Sequence, residues 1–219
     1  MAEPEISGGL EGCRNQIDVS PYEGMQMKSS KVQNYSSKIL KSGAILSETK
    51  ILLAGWDDST SIQDNFDHFH QRNILGKASR SRVEDILQIF RQRYLNEVQV
   101  TKTLITLIRA KHPADSLNQI LYFYAARSDP LIHDFVTEVL WPRYKSGRQD
   151  ILVKDAENWI RDKISKGSTA KPWSDNTIEK SAQGLMSTLR DFGVLQGLKN
   201  KRLTPAYLRV DALSLIHIS

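Results

Sequence analysis

One segment, residues 81–95 (SRVEDILQIFRQRYL), restricts the possible folds of this chain more than any other. Its apolar residues recur at offsets of 3, 4, 7 and 11, which places them on one face of an α-helix. These residues are Val83, Ile86, Leu87, Phe90 and Tyr94. Ser81 and Glu84 have the spacing of a capping box, so the helix is expected to begin at Ser81. Because a helix with one apolar face must bury that face, the segment favours a core built from helices.

Similar patterns predict further helices on both sides of this segment. Apolar residues recur at helical spacing in residues 47–56, in residues 59–75 and in two segments separated by Pro113. Residues 129–141 (DPLIHDFVTEVLW) are apolar on most faces, which is typical of a helix buried in the centre of a helical domain. The chain is therefore expected to be mainly α, with a helical domain over residues 35–146.

The order of elements changes beyond Pro142. A helical pattern (DILVKDAENWIRDKI) is followed by a turn-rich connector (SKGSTAKPW) and by a second amphipathic helix (SDNTIEKSAQGLMSTLRDFGVL). The segment VLQGLKNKRLTP then has two apolar ends around a polar tip at residues 199–202, which indicates a short β-hairpin. Helix, turn, helix and basic hairpin in this order predict a winged helix-turn-helix unit over residues 147–212.

Both ends of the chain lack this helical patterning. Residues 1–34 are rich in Gly, Ser and Pro without an apolar period, and a disordered arm is expected there. Residues 213–219 (LSLIHIS) match the translation of a transposon-end sequencing adapter. We therefore expect residues 213–219 to be adapter read-through and the winged-helix unit to be truncated.

Composition and motifs argue against several classes of function. No apolar run approaches the ~18 residues that span a bilayer, and the N-terminus lacks the pattern of a signal peptide, so a cytoplasmic protein without membrane contact is expected. The single cysteine, Cys13, excludes an intramolecular disulfide. Nucleotide-binding glycine motifs, nucleophile elbows and HExxH zinc motifs are missing from the sequence. The acidic and histidine residues of DNFDHFH (64–70) do not share one helix face, and a solvated surface is the expected reading. No enzyme activity, cofactor or metal is expected.

A first basic cluster lies where the helix of residues 81–95 begins. Residues 76–111 carry eight Lys or Arg against three Asp or Glu. The basic cluster proper consists of Lys77, Ser79, Arg80, Ser81 and Arg82. Helix N-termini bind phosphate through converging N–H groups, and Arg and Ser side chains add directed hydrogen bonds. The cluster predicts a phosphate-binding site; the alternative is that its arginines form ion pairs with acidic residues of neighbouring helices.

A second basic region occupies the C-terminal part of the chain. Residues 161–209 hold ten Lys or Arg against four Asp or Glu. In the second helix of this unit, the residues expected to face outward and to contact bases or phosphates are Asn176, Thr177, Lys180 and Gln183. The hairpin cations Lys199, Lys201 and Arg202 are expected to lie against the phosphate backbone or a minor groove. The alternatives are a protein-contact surface or a solvated hairpin.

Three stretches of the chain resemble the BrxA family, accessory proteins of BREX bacteriophage-exclusion systems. They are residues 35–57 (YSSKILKSGAILSETKILLAGWD), residues 73–95 (NILGKASRSRVEDILQIFRQRYL) and residues 171–197 (KPWSDNTIEKSAQGLMSTLRDFGVLQG). The resemblance implies a helical domain similar to the antitermination factor NusB, a winged-helix part and DNA binding in phage defence. The family's old label as an inner-membrane protein conflicts with the lack of a spanning segment.

The sequence thus predicts a non-catalytic DNA-binding accessory protein of a BREX-type phage-defence system. Its expected partners are double-stranded DNA, or RNA, and other BREX components. Two other functions stay open: a protein-interaction adaptor within a multi-subunit defence complex, and an RNA-binding factor similar to antitermination proteins.

Overall fold

The computed structural model of the protein describes residues 35–37 and 43–204. Helices dominate these ranges, and three short strands complete the fold. The helices are α1 (Leu46–Ala54), α2 (Ile62–Gln71), α3 (Arg80–Tyr94), α4 (Val98–Arg109), α5 (Ala114–Ser128), α6 (Pro130–Phe135), α7 (Trp141–Lys145), α8 (Val153–Ser165) and α9 (Asp175–Asp191). The strands are β1 (Asp150–Ile151), β2 (Leu195–Gln196) and β3 (Lys201–Leu203). The predicted mainly α fold with a short β-hairpin is confirmed.

A first core is formed by side chains of α1 to α5. The five apolar residues predicted to share one face of α3 are all buried in it. They meet side chains from the other four helices, including Leu52 and Leu53, Phe69, Leu104 and Leu121. The amphipathic pattern therefore identified the buried face of the central helix correctly.

The start of α3 differs from the prediction by two residues at the cap. Ser79, not Ser81, is the N-cap, and its Oγ accepts a hydrogen bond from the backbone N–H of Arg82 at 3.3 Å. Ser79 has the extended backbone that an N-cap needs (φ −97°, ψ 119°), whereas Ser81 already lies inside the helix. The predicted capping box of Ser81 and Glu84 is wrong.

A second core lies between the helix of residues 130–145, the C-terminal helices and the strands. A π-helical turn over residues 136–140 joins α6 to α7 as one continuous helix. The apolar side chains of this helix, predicted to be buried, pack against α8 and α9. Buried members from α6 and the π turn are Leu131, Ile132, Phe135, Val136 and Leu140. The division of the chain between residues 146 and 147 stays a prediction.

The three strands form an antiparallel sheet in the order β1-β3-β2. Asp150 of β1 pairs with Arg202 of β3, and Leu195 of β2 pairs with Leu203. The hairpin tip, residues 197–200, connects β2 to β3. Gly197 has a φ of +94° in this tip, and a Cβ atom there would lie 2.3 Å from the carbonyl oxygen of Asn200. Only glycine therefore fits this turn without a backbone shift.

Tyr35 ties the start of the described chain to the second core. Its backbone N–H donates to Ser168 O at 2.8 Å, and its hydroxyl donates to Asp134 Oδ2 at 2.7 Å. Its ring lies 5.9 Å from that of Trp159. The segment that precedes the first core is thus anchored beside the connector between α8 and α9.

Arg93 occupies the junction of the two cores and is buried. Its Nη1 donates to the carbonyl oxygens of Gly43 and Ala44, each at 3.1 Å, and its guanidinium lies 6.0 Å from the ring centre of Phe192. Asp129, also buried, caps α6 by accepting from the N–H of Leu131 at 3.1 Å.

Burial raises the pKa of the Asp129 carboxyl to about 6, although the positive charge of Arg93 and backbone N–H groups act to lower the pKa. A cation and a carboxyl group therefore share the interior of the junction.

Three predictions fall outside the described residues: the disordered arm over residues 1–34, the end of the winged-helix unit over residues 205–212, and adapter read-through over residues 213–219. Among the residues that are described, no helix is both long enough and apolar enough to cross a bilayer.

Candidate nucleic-acid interface

Helix α9 carries the main candidate surface, and its capping and packing fix which side faces outward. Ser174 is the N-cap, and its Oγ accepts from the N–H of Thr177 at 3.3 Å. The predicted apolar stripe of α9 is buried against the second core at Ile178, Ala182, Leu185 and Leu189. Because this side is held inward, the opposite side of the helix is presented to solvent.

The four predicted contact residues of α9 lie together along one open groove of about 540 Å³. Its lining includes Asn176, Thr177, Lys180 and Gln183, with Ser187 one turn further along the helix. Ser37, which follows the anchored Tyr35, also lines the groove. Sequence reasoning missed Ser37, because no local pattern brings a residue near the start of the chain to a helix near its end.

Charges on α9 are mixed. Lys180 is exposed and forms no ion pair or hydrogen bond with any other described residue. Gln183 Nε2 donates to Glu179 Oε1 at 3.1 Å, and Asp175 Oδ1 lies 2.5 Å from Arg161 Nη1 of α8. The outer face of α9 therefore offers one unpaired ammonium group among amide and hydroxyl groups.

The hairpin presents two of its three predicted cations. Lys199 lies exposed at the hairpin tip without a partner among the described residues. Arg202 points outward from β3, with its Nε 3.3 Å from Asp150 Oδ1 on β1. Both side chains are accessible to a polyanion.

Lys201 does not lie on the surface, which corrects its predicted place at a polar tip. It is 7% exposed, and its Nζ donates to Leu198 O at 2.7 Å. Desolvation lowers the pKa of its ammonium group, and the nearby charge of Arg190 acts in the same direction. The signal that could have shown this is strand alternation, because residues 201 and 203 must share the inward side of β3 while residue 202 faces outward.

The first basic cluster is largely engaged with carboxylates. Lys77 Nζ lies 2.9 Å from Glu48 Oε1 of α1, and Arg80 Nε lies 3.3 Å from Glu84 Oε1 one turn along α3. Burial acts to raise the pKa of Glu48, but the hydrogen bond from Lys77 and the charges of Lys77 and Arg82 leave it below its usual value. Lys77 thus pairs with a neighbouring helix, whereas Arg80 pairs within α3 itself. Phosphate binding by the cluster stays a prediction.

The serines of the basic cluster have different surroundings. Ser79 uses its hydroxyl to cap α3, whereas Ser81 is exposed in the first turn. Arg80 and Ser81 therefore remain exposed, while Lys77, which precedes α3, forms an ion pair with α1.

Within the described ranges, His, Cys, Asp and Glu side chains nowhere gather in a group of three that could hold a metal ion. In the segment DNFDHFH, Asp64 completes the capping box of α2 with Ser61, and Asp67 accepts from Gln63 at 3.0 Å. These carboxylates therefore form hydrogen bonds within α2 and at its N-cap.

Comparison with known proteins gives one family and a fold. None of the curated proteins matches the chain. A crystal structure of an uncharacterized protein from Magnetospirillum magneticum is similar to this chain, with a TM-score of 0.68 and 19% sequence identity over 84% of this chain and 93% of that chain. This likeness supports the fold alone. The family model of BrxA matches residues 33–218, and the chain therefore belongs to the BrxA family.

Proposed function

We propose that this protein is a non-catalytic DNA-binding accessory protein that acts with other components of a BREX-type phage-defence system. In this proposal, the outer face of α9 enters the major groove of a DNA duplex, and the β2–β3 hairpin lies on the adjacent backbone. The proposal places the protein in the cytoplasm, where duplex DNA is accessible. Family membership supports the BREX association, and the arrangement of the C-terminal elements supports DNA as the ligand.

The topology of the second core supports a winged helix-turn-helix. The chain runs β1, α8, α9, β2 and β3, with the strand order β1-β3-β2. In a winged helix, the second helix of the helix-turn-helix enters the major groove and the hairpin forms the wing. Helix α9 takes the position of that helix, and the β2–β3 hairpin takes the position of the wing. For the helices of the first core, we propose a similarity to NusB.

The chemistry of the outer face suits DNA. Amide groups of Asn176 and Gln183 can donate to and accept from base edges, and Lys180 can reach a base or a phosphate. Lys199 and Arg202 on the wing supply phosphate contacts. The observation that carries the proposal is the convergence of four polar residues of α9 on one groove, with the unpaired Lys180 among them.

The basic cluster has a smaller part in this proposal. Its exposed residues, Arg80 and Ser81, can add a phosphate contact, because an exposed ion pair such as that of Arg80 and Glu84 contributes only ~0–1 kcal/mol and is easily exchanged. Lys77, Ser79 and Arg82 act mainly within the protein, at the contact of α1 with the beginning of α3.

Binding to a fluorescent duplex, measured by anisotropy over a series of salt concentrations, tests the proposal. Each phosphate contact adds about 0.9 to the slope of log affinity against log salt. We expect the wild type to bind, and the Lys199→Ala/Arg202→Ala variant to lose about 1.8 from the slope. Lys180→Ala should weaken binding as well.

Lys102→Ala is the matched control, because Lys102 is an exposed lysine of α4 whose ammonium group has no partner among the described residues. It should leave both the affinity and the slope unchanged. Equal losses in Lys102→Ala and Lys180→Ala would show that only general charge matters and would contradict a specific face.

The acidic residues of α9 favour one second candidate, a protein-interaction adaptor. Asp175 and Glu179 lower the positive charge of the helix and could pair with cations of a partner protein. If the protein is an adaptor, it should not bind duplex DNA even at low salt.

Competition between duplex DNA and RNA of equal length distinguishes the proposed function from an RNA-binding one. If the surface is selective for DNA, unlabelled duplex DNA should displace the labelled duplex more effectively than RNA does.

A further inference from the structure

The tip of the β2–β3 hairpin displays an apolar side chain. Leu198 is 77% exposed, more than any other large apolar residue in the described part of the chain. Its neighbour Lys199 is an exposed cation. An exposed apolar side chain at the tip of a hairpin is suited to insertion into a narrow groove.

Two features hold this tip in one shape. Gly197 turns the chain with a φ of +94° where a Cβ atom would contact Asn200 O. On the inward side of β3, the buried Lys201 donates a hydrogen bond from Nζ to the carbonyl oxygen of Leu198 at 2.7 Å. The backbone of the exposed leucine is thus bound directly to a side chain that lies inside the hairpin.

A lysine at this inward position is energetically unfavourable. Burying an ammonium group costs free energy unless hydrogen bonds replace its water. A leucine or methionine would fill the same space without that cost. Lys201 is the residue on this side of β3 that can reach and hold the Leu198 carbonyl, so its polar end has a structural purpose at the tip.

We propose that Lys201 is a positioning residue that fixes the hairpin tip, and that the tip presents Leu198 to the minor groove of duplex DNA as an apolar wedge. Lys199 then contacts a flanking phosphate. This inference rests on the proposed DNA-binding function. Apolar side chains that insert between base steps unstack them and bend the duplex by roughly 20–90°. Flexible pyrimidine–purine steps are the favoured sites, because they unstack at the lowest cost.

The test combines the salt dependence of affinity with a bend measurement on a duplex labelled at both ends for energy transfer. A wedge adds affinity without neutralising phosphate, so Leu198→Ala should weaken binding about 5- to 10-fold, reduce the bend and leave the salt slope unchanged. Lys201→Met should act in the same direction with an unchanged slope. Lys199→Ala should instead lower the slope by about 0.9.

Val98→Ala is the matched control, because Val98 is 71% exposed on α4, far along the chain from the hairpin. It should bind and bend DNA as the wild type does. Thermal unfolding of every variant shows whether a loss of binding reflects a loss of fold. Should Lys201→Met unfold, Leu198→Ala still tests the wedge, since its side chain is on the surface.

Three results would overturn the inference, each in a recognisable way. A slope reduced by about 0.9 in Lys201→Met would mean that Lys201 itself reaches a phosphate. Wild-type affinity and bend in Leu198→Ala, with binding otherwise intact, would exclude the wedge and leave the proposed function standing. Failure of the wild type to bind any duplex would refute the proposed function, and the wedge with it.

Discussion

Lys77 Nζ lies 2.9 Å from Glu48 Oε1, so a cation at the entry to α3 is paired with a carboxylate of α1. The two side chains are partly shielded, with 38% and 19% of their surfaces exposed. This pair joins two helices of the first core, and it makes Lys77 a poor candidate for a phosphate contact.

We therefore expect Lys77→Met to change stability more than DNA binding. The free energy of unfolding should fall by about 0.5–1 kcal/mol, because a partly shielded ion pair is lost. The salt slope of DNA binding should stay within 0.3 or so of the wild type, well below the ~0.9 of one phosphate contact. Glu48→Gln is the companion variant. Glu48→Gln should increase the salt slope if the freed Lys77 then contacts a phosphate. A salt slope lowered by about 0.9 in Lys77→Met would contradict the assignment of Lys77 to a structural ion pair.

Asp129 should make the stability of the protein depend on pH. Burial raises the pKa of its carboxyl to about 6, above the ordinary value near 4 that it regains on unfolding. The folded protein thus binds more protons in this window, and stability present below about pH 4 is lost as the pH rises through 6. Relative to Asp129→Asn, the wild type should lose on the order of 2–3 kcal/mol between pH 4 and 7.

Urea unfolding of both proteins at several pH values measures this difference. The amide oxygen of Asn can still accept from the N–H of Leu131, so the cap of α6 is retained in the variant. A difference in unfolding free energy that does not change with pH would show that Asp129 is not shifted upward.

Replacing Arg93 should be strongly destabilising. Arg93→Met leaves the carbonyl oxygens of Gly43 and Ala44 without their donor in the interior. We expect a loss of about 2–4 kcal/mol in the free energy of unfolding. It also removes the cation beside Asp129, which should raise the pKa of that carboxyl further and steepen the pH dependence.

Arg91→Met, two residues earlier on the exposed side of α3, is the matched control. In chemical denaturation, the loss of unfolding free energy should be several times larger in Arg93→Met than in Arg91→Met. Equal, small losses would mean that Arg93 is dispensable at the junction.

Tyr35→Phe tests the anchor of the N-terminal segment. The variant keeps the ring beside Trp159 but loses the hydrogen bond to Asp134, which should cost about 1 kcal/mol. The pKa of Asp134 is held low by hydrogen bonds from His133 and Tyr35 against the effect of burial, so it should rise in the variant. Carboxyl chemical shifts followed by NMR over pH measure this. Tyr144→Phe, at an exposed tyrosine, should change neither quantity.

Gly197→Ala should damage the hairpin tip while the helices stay folded. The new Cβ would meet Asn200 O at 2.3 Å, so the tip must rearrange. Gly147→Ala has a comparable φ of +73° with open space around its Cβ, and it isolates the effect of backbone strain alone. DNA affinity should fall in Gly197→Ala and stay near that of the wild type in Gly147→Ala, with similar helical circular dichroism in both.

Periodicity predicted most of the fold because each helix has its own apolar face. The stripes of α3 and α9 were predicted residue by residue, and both are buried. The start of α3 was missed because Ser79 and Ser81 both suit an N-cap, and only backbone geometry separates them. Local patterns thus identify which side of a helix is buried better than where the helix starts.

The candidate site was only partly predictable for a different reason. The outward residues of α9 follow from the apolar stripe, so the placement of Asn176, Thr177, Lys180 and Gln183 along one groove agrees with the sequence, while their contact with DNA stays a prediction. The pairing of Lys77 with Glu48 depends on how α1 packs beside the entry to α3, which no spacing in the sequence reports. Lys201 was misplaced because a three-residue strand gives too little alternation to identify its inward side.

The anchoring of Tyr35 also sets an order of events during synthesis. Tyr35 and Asp134 are 99 positions apart, and the helices of the first core are encoded between them. At ribosomal rates of about 5–20 residues per second, Tyr35 leaves the exit tunnel roughly 5–20 s before its partner. All five helices of the first core are therefore synthesised before Tyr35 can meet Asp134, so the anchor forms only after the first core has been translated.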